Sequence, residues 1–347
     1  MTAAEDAVLL RIEGRTAYLT LNRPRAINAL DHAMGLRMAA ALEAWAADPA
    51  VAAVVIAGSG ERGLCAGGDI RAVRESVGED GGRAAAEFWR DEYRLNAAIA
   101  RYPKPYVALM DGIVMGGGVG ISAHGSDRIV TERSRIAMPE TGIGFVPDVG
   151  GTYLLARAPG EFGTHLALTG TAIGAADAIA CGLADAYVPS ERLAEFGAAL
   201  AGRDVAEVLP EYAAQPPAGV LAEQREWIDH CYAADTVEEI LDRLEGSGVA
   251  AAKQTAETIR AKSPTALKIT LAAVRRARRL DGLEQVLEQE FRVSVNASLL
   301  PDLPEGVRAQ IIDKDRRPKW SPPTLAEVAE ETVEACFAPT RYGRLFG

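Results

Sequence analysis

The sequence predicts an α/β domain followed by a helical C-terminal region. Two observations lead there. In the first half, short β-branched runs alternate with stretches of helical apolar spacing, the order that builds a sheet covered by helices. After about Pro189 the strand signal fades, and the patterned stretches that remain are helical. The expected division is therefore residues 1–189 as an α/β core holding the site and residues 190–347 as the helical region, with Gln215-Pro216-Pro217-Ala218-Gly219 as the candidate linker.

The elements follow in order. Val8–Ile12 and Thr16–Leu21 flank Glu13-Gly14-Arg15 and read as a hairpin. Asp31 suits the N-cap of a helix over His32–Ala47. Ala52–Ala57 and Pro105–Met110 are continuous apolar runs, as buried parallel strands require. Between them, Ala84–Arg101 has the pattern of a long helix. Gly112–Gly120 turns into a further helix, and Arg128–Thr131 and Arg135–Met138 are short strands. Helices are expected over Glu191–Ala201, Gly219–Cys231, Val237–Leu244, Val249–Ala261, Thr265–Arg279, Leu283–Asn296, Glu305–Ile312 and Leu325–Phe337. Ser263-Pro264 marks a helix start, a capping hydroxyl followed by proline at the first position.

Composition narrows the function. The chain has 347 residues, of which 48% are hydrophobic, enough for a sizeable core. A formal net charge of −11 argues against a nucleic-acid surface and against a polybasic membrane anchor. No apolar run is long enough to span a bilayer. Cys65, Cys181, Cys231 and Cys336 lie far apart without zinc spacing, and the four histidines are scattered, so no metal is expected. The N-terminal Met-Thr-Ala-Ala-Glu-Asp lacks the character of a targeting segment. Reduced thiols and no leader make the expected location cytoplasmic.

The chemistry centres on Ala137–Gly151. Glu140 and Asp148 stand there among Met138, Ile143, Phe145, Val146 and Pro147. An apolar setting desolvates a carboxyl, raises its pKa and makes it a stronger base. Two solvated acids in a tight turn is the plain alternative. Two glycine segments upstream add to the pattern: Leu64-Cys65-Ala66-Gly67-Gly68-Asp69-Ile70 and Gly112-Ile113-Val114-Met115-Gly116-Gly117-Gly118-Val119-Gly120, each following a predicted strand. Unshielded N–H groups from two such loops, one at a helix start, would make an oxyanion hole. Tight turns alone would also explain the glycines. The second segment is neither a Walker loop nor the full dinucleotide fingerprint, and no Gly-x-Ser-x-Gly elbow occurs.

Together these segments resemble the enoyl-CoA hydratase/isomerase (crotonase) superfamily, with Asn22-Arg23-Pro24 and Asn28-Ala29-Leu30 in support. The resemblance is closer to its 3-hydroxyisobutyryl-CoA hydrolase branch. Phe88–Asn96, Ser263–Thr270, Glu305–Ala309, Ile312–Asp315 and Pro318-Lys319-Trp320 carry it, and the match runs nearly end to end. It implies a spiral of ββα units with a helical C-terminal region, and an acyl-CoA thioester as substrate, with coenzyme A belonging to the substrate and no separate cofactor. It also implies that Gly68 and Gly117 hold the thioester oxygen. Glu92, Gly117, Glu140 and Asp148 match the branch's substrate contacts. Ala26, Ala66, Gly68 and Ile70 fall at the adenine pocket, and Arg25 falls where a basic residue approaches the CoA phosphates. The resemblance leaves a homo-oligomer open.

One departure is informative. Hydratases of this superfamily carry a glutamate where this chain has Gly120, so half their acid pair is missing. The reading is thioester hydrolysis of a short, branched 3-hydroxyacyl-CoA in valine breakdown, with Glu140 as nucleophile or general base and Asp148 orienting water or the substrate hydroxyl. An enoyl-CoA isomerase or hydratase of fatty-acid metabolism, and a catalytically silent CoA-binding protein, are the alternatives.

Overall fold

A computed structural model describes residues 6–346. Eight strands run in chain order: β1 Val8–Glu13, β2 Thr16–Leu21, β3 Ala53–Gly58, β4 Tyr106–Met110, β5 Ile113–Met115, β6 Asp127–Val130, β7 Arg135–Ala137 and β8 Ala186–Tyr187. The chain divides into two compact units, and the division is interleaved. The first comprises residues up to Gly68, Asp91–Ala137 and Ile173–Gly219; the second comprises Asp69–Arg90, Met138–Ala172 and the chain from Val220.

The first unit is built on a six-stranded sheet of order β1-β2-β3-β4-β6-β8. Only the β1–β2 hairpin is antiparallel, turning at Gly14, whose φ of 58° suits a residue without a side chain. The remaining neighbours are parallel. All five residues of β4 are buried, the signature of a parallel strand covered on both faces. Asp31 caps His32–Ala47, its side chain accepting from Met34 N.

Residues 190–219, expected with the C-terminal helices, pack in this first unit. Phe196, Leu200, Val205 and Val208 join Tyr18, Val55, Val107 and Ile129 in one apolar cluster on the sheet. The Thr16 hydroxyl donates to Leu200 O at 2.6 Å and the Tyr18 hydroxyl to Gly197 O at 2.7 Å. Sheet and helix thereby bury each other, which places residues 190–219 with the sheet.

The Gly112 segment also differs from expectation. Before any helix forms, β5 pairs in parallel with β7. Only one helical turn follows, Gly117–Gly120. Bridges of Gly63 to Gly112 and of Cys65 to Val114 hold the segment extended. The short helices Ile70–Glu79, Gly151–Arg157, Phe162–Thr169 and Ala175–Ala180 were not legible in the sequence. Phe162–Thr169 is buried along its whole length and so has no polar face to mark a helical period.

The second unit is helical. Ser263 caps Pro264–Ala277, accepting from Ala266 N at 2.9 Å and donating its hydroxyl to Asp302. Beyond it run Leu283–Ser298 and Asp302–Val307, the latter ending in a wider π turn over Arg308–Ile312. The helix expected over Leu325–Phe337 is broken into a 3-10 turn, Leu325–Glu327, and a helix, Glu330–Cys336. Val146 packs with Ile269, Val293, Ala297, Val328, Val333 and Cys336, tying the turn after Glu140 to these helices. No described helix is long and apolar enough to cross a membrane.

Candidate active site

The first unit carries the glycine segments. Leu64–Gly68 runs beside β5, with Cys65 N donating to Ile113 O and Met115 N to Cys65 O. Leu30 N donates to Gly67 O at 2.8 Å. Gly67 holds a φ of 112°, and Gly116, just before the one-turn helix, a φ of 50°. These turns bring Gly68 and Gly117 side by side. A β-carbon on Gly117 would stand 3.2 Å from Gly68 N, and one on Gly67 would stand 3.7 Å from Gly117 N. The two backbone donors singled out in the sequence are therefore neighbours. Gly118 is glycine for packing: a β-carbon there would come within 2.4 Å of Cys65 O.

Glu92 comes to the same place from the Arg83–Ala100 helix. It is buried, and its Oε1 lies 2.7 Å from where a Gly117 β-carbon would be. The adjacent Asp91 is bonded to His32 Nε2 at 2.7 Å. Cys65 is no rival nucleophile, since burial pushes its thiol up to about 12 and keeps it protonated.

Of the residues that the sequence resemblance assigns to CoA, this unit holds Arg25, Ala26, Ala66 and Gly68. Arg25 and Ala26 are exposed in the 3-10 turn Pro24–Ala26. Ala66 N donates to Ile27 O at 2.9 Å, which brings the Ala26 and Ala66 stretches together. Asn28 locks that turn. Its side-chain oxygen accepts from Arg23 N, and its amide donates to Ser59 O and Gly63 O. Ile70 belongs to the second unit, where it opens the Ile70–Glu79 helix and is half-buried.

The second unit carries the acids. Glu140 begins a 3-10 turn, Glu140–Ile143, and is 6% exposed. Its Oε2 is buried without a hydrogen-bond partner. Burial, then the charge of Asp148, push its pKa well above the ordinary carboxylate range. The chain leaves the turn at Gly144, where a β-carbon would come within 2.3 Å of Asp302 O. Phe145 then stacks on Trp89, ring centroids 5.4 Å apart. Asp148 is equally buried, and its carbonyl accepts from Gly151 N at 2.6 Å. The sequence thus placed both acids in an apolar turn, and they are desolvated there.

Glu290 was missed. It stands behind the Asp148 turn, 1% exposed, and accepts from Gly150 N at 2.6 Å and from Thr152 N at 2.9 Å. A signal existed: Val286, Leu287, Glu290, Phe291 and Ser294 share the buried face of one helix, so the carboxylate interrupts an apolar stripe.

The remaining histidine and cysteine residues form no second centre. His165 is buried among Trp227 and Tyr232, its Nδ1 bonded to the Tyr232 hydroxyl at 2.9 Å, and burial lowers its pKa to about 4. The four cysteines are buried and free. Among the described residues no group of His, Cys, Asp and Glu is arranged to hold a metal ion.

Comparison with known proteins converges on one family. The enoyl-CoA hydratase/isomerase family model matches residues 16–337. The chain is 43% identical to the mitochondrial 3-hydroxyisobutyryl-CoA hydrolase of Danio rerio, over 96% of this chain and 90% of that protein. It is 41% identical to the human protein of the same name, over 97% and 89%. Among solved structures, a carnitinyl-CoA dehydratase from Mycobacterium thermoresistibile superposes with a TM-score of 0.94 at 54% identity, covering 97% of this chain and 98% of that one. An enoyl-CoA hydratase from Rhodobacter sphaeroides 2.4.1 superposes at 0.92 with 43% identity, over 98% and 100%. The crotonase-like α/β fold with a helical C-terminal region is the fold of this chain.

Proposed function

Since the chain belongs to the enoyl-CoA hydratase/isomerase family, we propose that it hydrolyses 3-hydroxyisobutyryl-CoA to 3-hydroxyisobutyrate and CoA, a thioester cleavage serving valine breakdown. The observation that carries this reading is the Glu140 carboxylate, desolvated and with Oε2 unpartnered. A buried acid in that state is a strong base or nucleophile once ionised.

In this reading the N–H groups of Gly68 and Gly117 bind the thioester oxygen and stabilise the negative charge that develops on it. One such donor is worth about 3–4 kcal/mol in the transition state. Glu140 either attacks the carbonyl carbon, giving an anhydride that water then opens, or takes a proton from the water that attacks. In both routes the C–S bond breaks, and the CoA thiolate leaves and is protonated. A thiol pKa of ~8.5 makes that departure easy. Asp148 orients the water or the 3-hydroxyl, and Glu92 contacts the substrate beside Gly117. Arg25, Ala26, Ala66, Gly68 and Ile70 are assigned to CoA. The adenine lies against the small residues, and Arg25 lies near the phosphates.

A second reading, addition or loss of water at a carbon–carbon double bond, draws on the names of the two solved neighbours. It lacks the acid at position 120, which here is a buried glycine. Cytoplasmic location is our proposal, while the vertebrate relatives are named as mitochondrial. The deciding assay is free-thiol release from a panel of acyl-CoAs. Rapid release from 3-hydroxyisobutyryl-CoA is expected, and CoA binding without turnover of any thioester would defeat the proposal.

A further inference from the structure

A carboxylate with no part in the chemistry above holds the backbone that carries Asp148. Glu290 projects from Leu283–Ser298 and is almost wholly buried. Its Oε2 accepts from Gly150 N at 2.6 Å. Its Oε1 accepts from Thr152 N at 2.9 Å and from the Thr152 hydroxyl. None of these three partners is charged. The chain they grip is unusual: Val149 has a φ of 54° and Gly150 a φ of 78°. Left-handed backbone is ordinary for glycine and rare for a β-branched residue. Such a conformation persists only where its surroundings over-determine it. Glu290 holds this turn through Gly150 with one oxygen and through Thr152 with the other.

We propose that Glu290 is a positioning residue, a buried clamp on Gly150 and Thr152 that fixes the strained turn after Asp148 and so aims the Asp148 carboxylate. The inference rests on the hydrolase reading only in assigning Asp148 a part in turnover; the clamp itself is a statement about geometry. A buried carboxylate facing Asp148 is a poor choice for stability alone. Burial and the Asp148 charge push Glu290 up to about 8, against the three hydrogen bonds that lower it. A glutamine or an apolar residue would fill the space without that penalty, but neither presents two acceptor oxygens to three donors.

The test compares Glu290→Gln, Thr152→Val and Thr152→Ser with wild type on 3-hydroxyisobutyryl-CoA, with melting temperatures and a crystal structure of Thr152→Val. Glu290→Gln should lower kcat about 100-fold, the scale of a 1 Å misplacement, with KM nearly unchanged. Thr152→Val, which removes one donor, should lower kcat several-fold. Thr152→Ser, which keeps the hydroxyl, should restore it. A part in folding alone would lower the melting temperature without dividing kcat from KM. Glu290→Gln at wild-type kcat overturns the proposal. If Glu290→Gln does not fold, equal kcat for Thr152→Val and Thr152→Ser overturns it. If wild type releases no CoA from any thioester, the hydrolase reading fails and the crystal structure decides the clamp. A shifted Asp148 or a Val149 outside the left-handed region supports it, and an unmoved turn overturns it.

Discussion

Glu92 and Gly117 compete for one position. The Oε1 of Glu92 lies 2.7 Å from where a β-carbon on Gly117 would stand. A side chain at position 117 would have to displace the Glu92 carboxylate, which comes from another helix. The same missing β-carbon would stand 3.2 Å from Gly68 N, so anything larger than glycine also screens the second donor.

Gly117→Ala tests this directly. Gly117 opens a helical turn without a positive φ, so alanine meets no backbone strain there. The added methyl must displace Glu92 or the Gly68 loop. The expected outcome is a folded protein whose kcat falls about 10²–10³-fold, the scale of losing one oxyanion donor. Melting temperature and steady-state thiol release check it, and wild-type turnover would refute the claim that a methyl at 117 disturbs the Gly68 and Glu92 surroundings.

Glu140→Gln should abolish hydrolysis while CoA binding survives, as measured by calorimetry. Its effect on stability has a definite sign. The folded-state pKa of Glu140 is raised above its unfolded value, chiefly by burial. Its protonated form is therefore favoured in the fold, and that contribution is complete below the unfolded pKa of ~4.3. It is lost as pH rises through the folded value. Glutamine cannot ionise and escapes that loss. Glu140→Gln should melt above wild type at pH 8, with the gap shrinking toward pH 5. A gap that widens on acidification would mean that Glu140 is stabilised as an anion.

Much of this arrangement was legible in the sequence, and the missing parts share a cause. His32–Ala47 was placed to the residue because a cap and several helical turns agree. β3 and β4 were evident as continuous apolar runs, and β1 and β2 as two short strands around a glycine turn. Glu140 and Asp148 were visible as acids in an apolar run. Strand β5 was hidden because glycines that permit a turn also permit extension, and only pairing with β7 decides between them. The crowding at position 117 comes from Glu92, which arrives from a separate helix. Glu290 meets Gly150 across 140 residues of chain. Local pattern records propensity and periodicity, but not which side chain from elsewhere fills a given space.

Asp148→Asn preserves shape and removes a charge. If Asp148 orients the attacking water, kcat should fall on the ~10²–10⁴ scale of acid–base assistance. The same substitution should ease the ionisation of Glu140, because the Asp148 charge contributes to holding that pKa up. The pH–rate profile of the residual activity should accordingly have its acid limb at lower pH than wild type. An unchanged kcat together with an unmoved limb would make Asp148 a structural residue.

The last prediction separates cleavage of the thioester from chemistry at a double bond. Adding water to an enoyl-CoA needs one group to guide oxygen to Cβ and a proton delivered to Cα. Each must lie within ~2.6–3.2 Å of its target or act through one water. Gly120 closes the one-turn helix, is fully enclosed and has no side chain to offer. Attack on the thioester carbon makes a smaller demand, since one carboxylate can direct it while backbone donors take the charge. Wild-type protein should therefore release thiol from 3-hydroxyisobutyryl-CoA and hydrate crotonyl-CoA poorly or not at all. One preparation serves both measurements, free thiol in the first and loss of enoyl absorbance in the second. Fast hydration without thiol release would transfer the assignment to the hydratases and require Asp148 or Glu92 to stand in for the absent acid. Gly120→Glu should not convert the enzyme, because a new buried charge without supporting hydrogen bonds is costly and has nothing to aim it at the alkene.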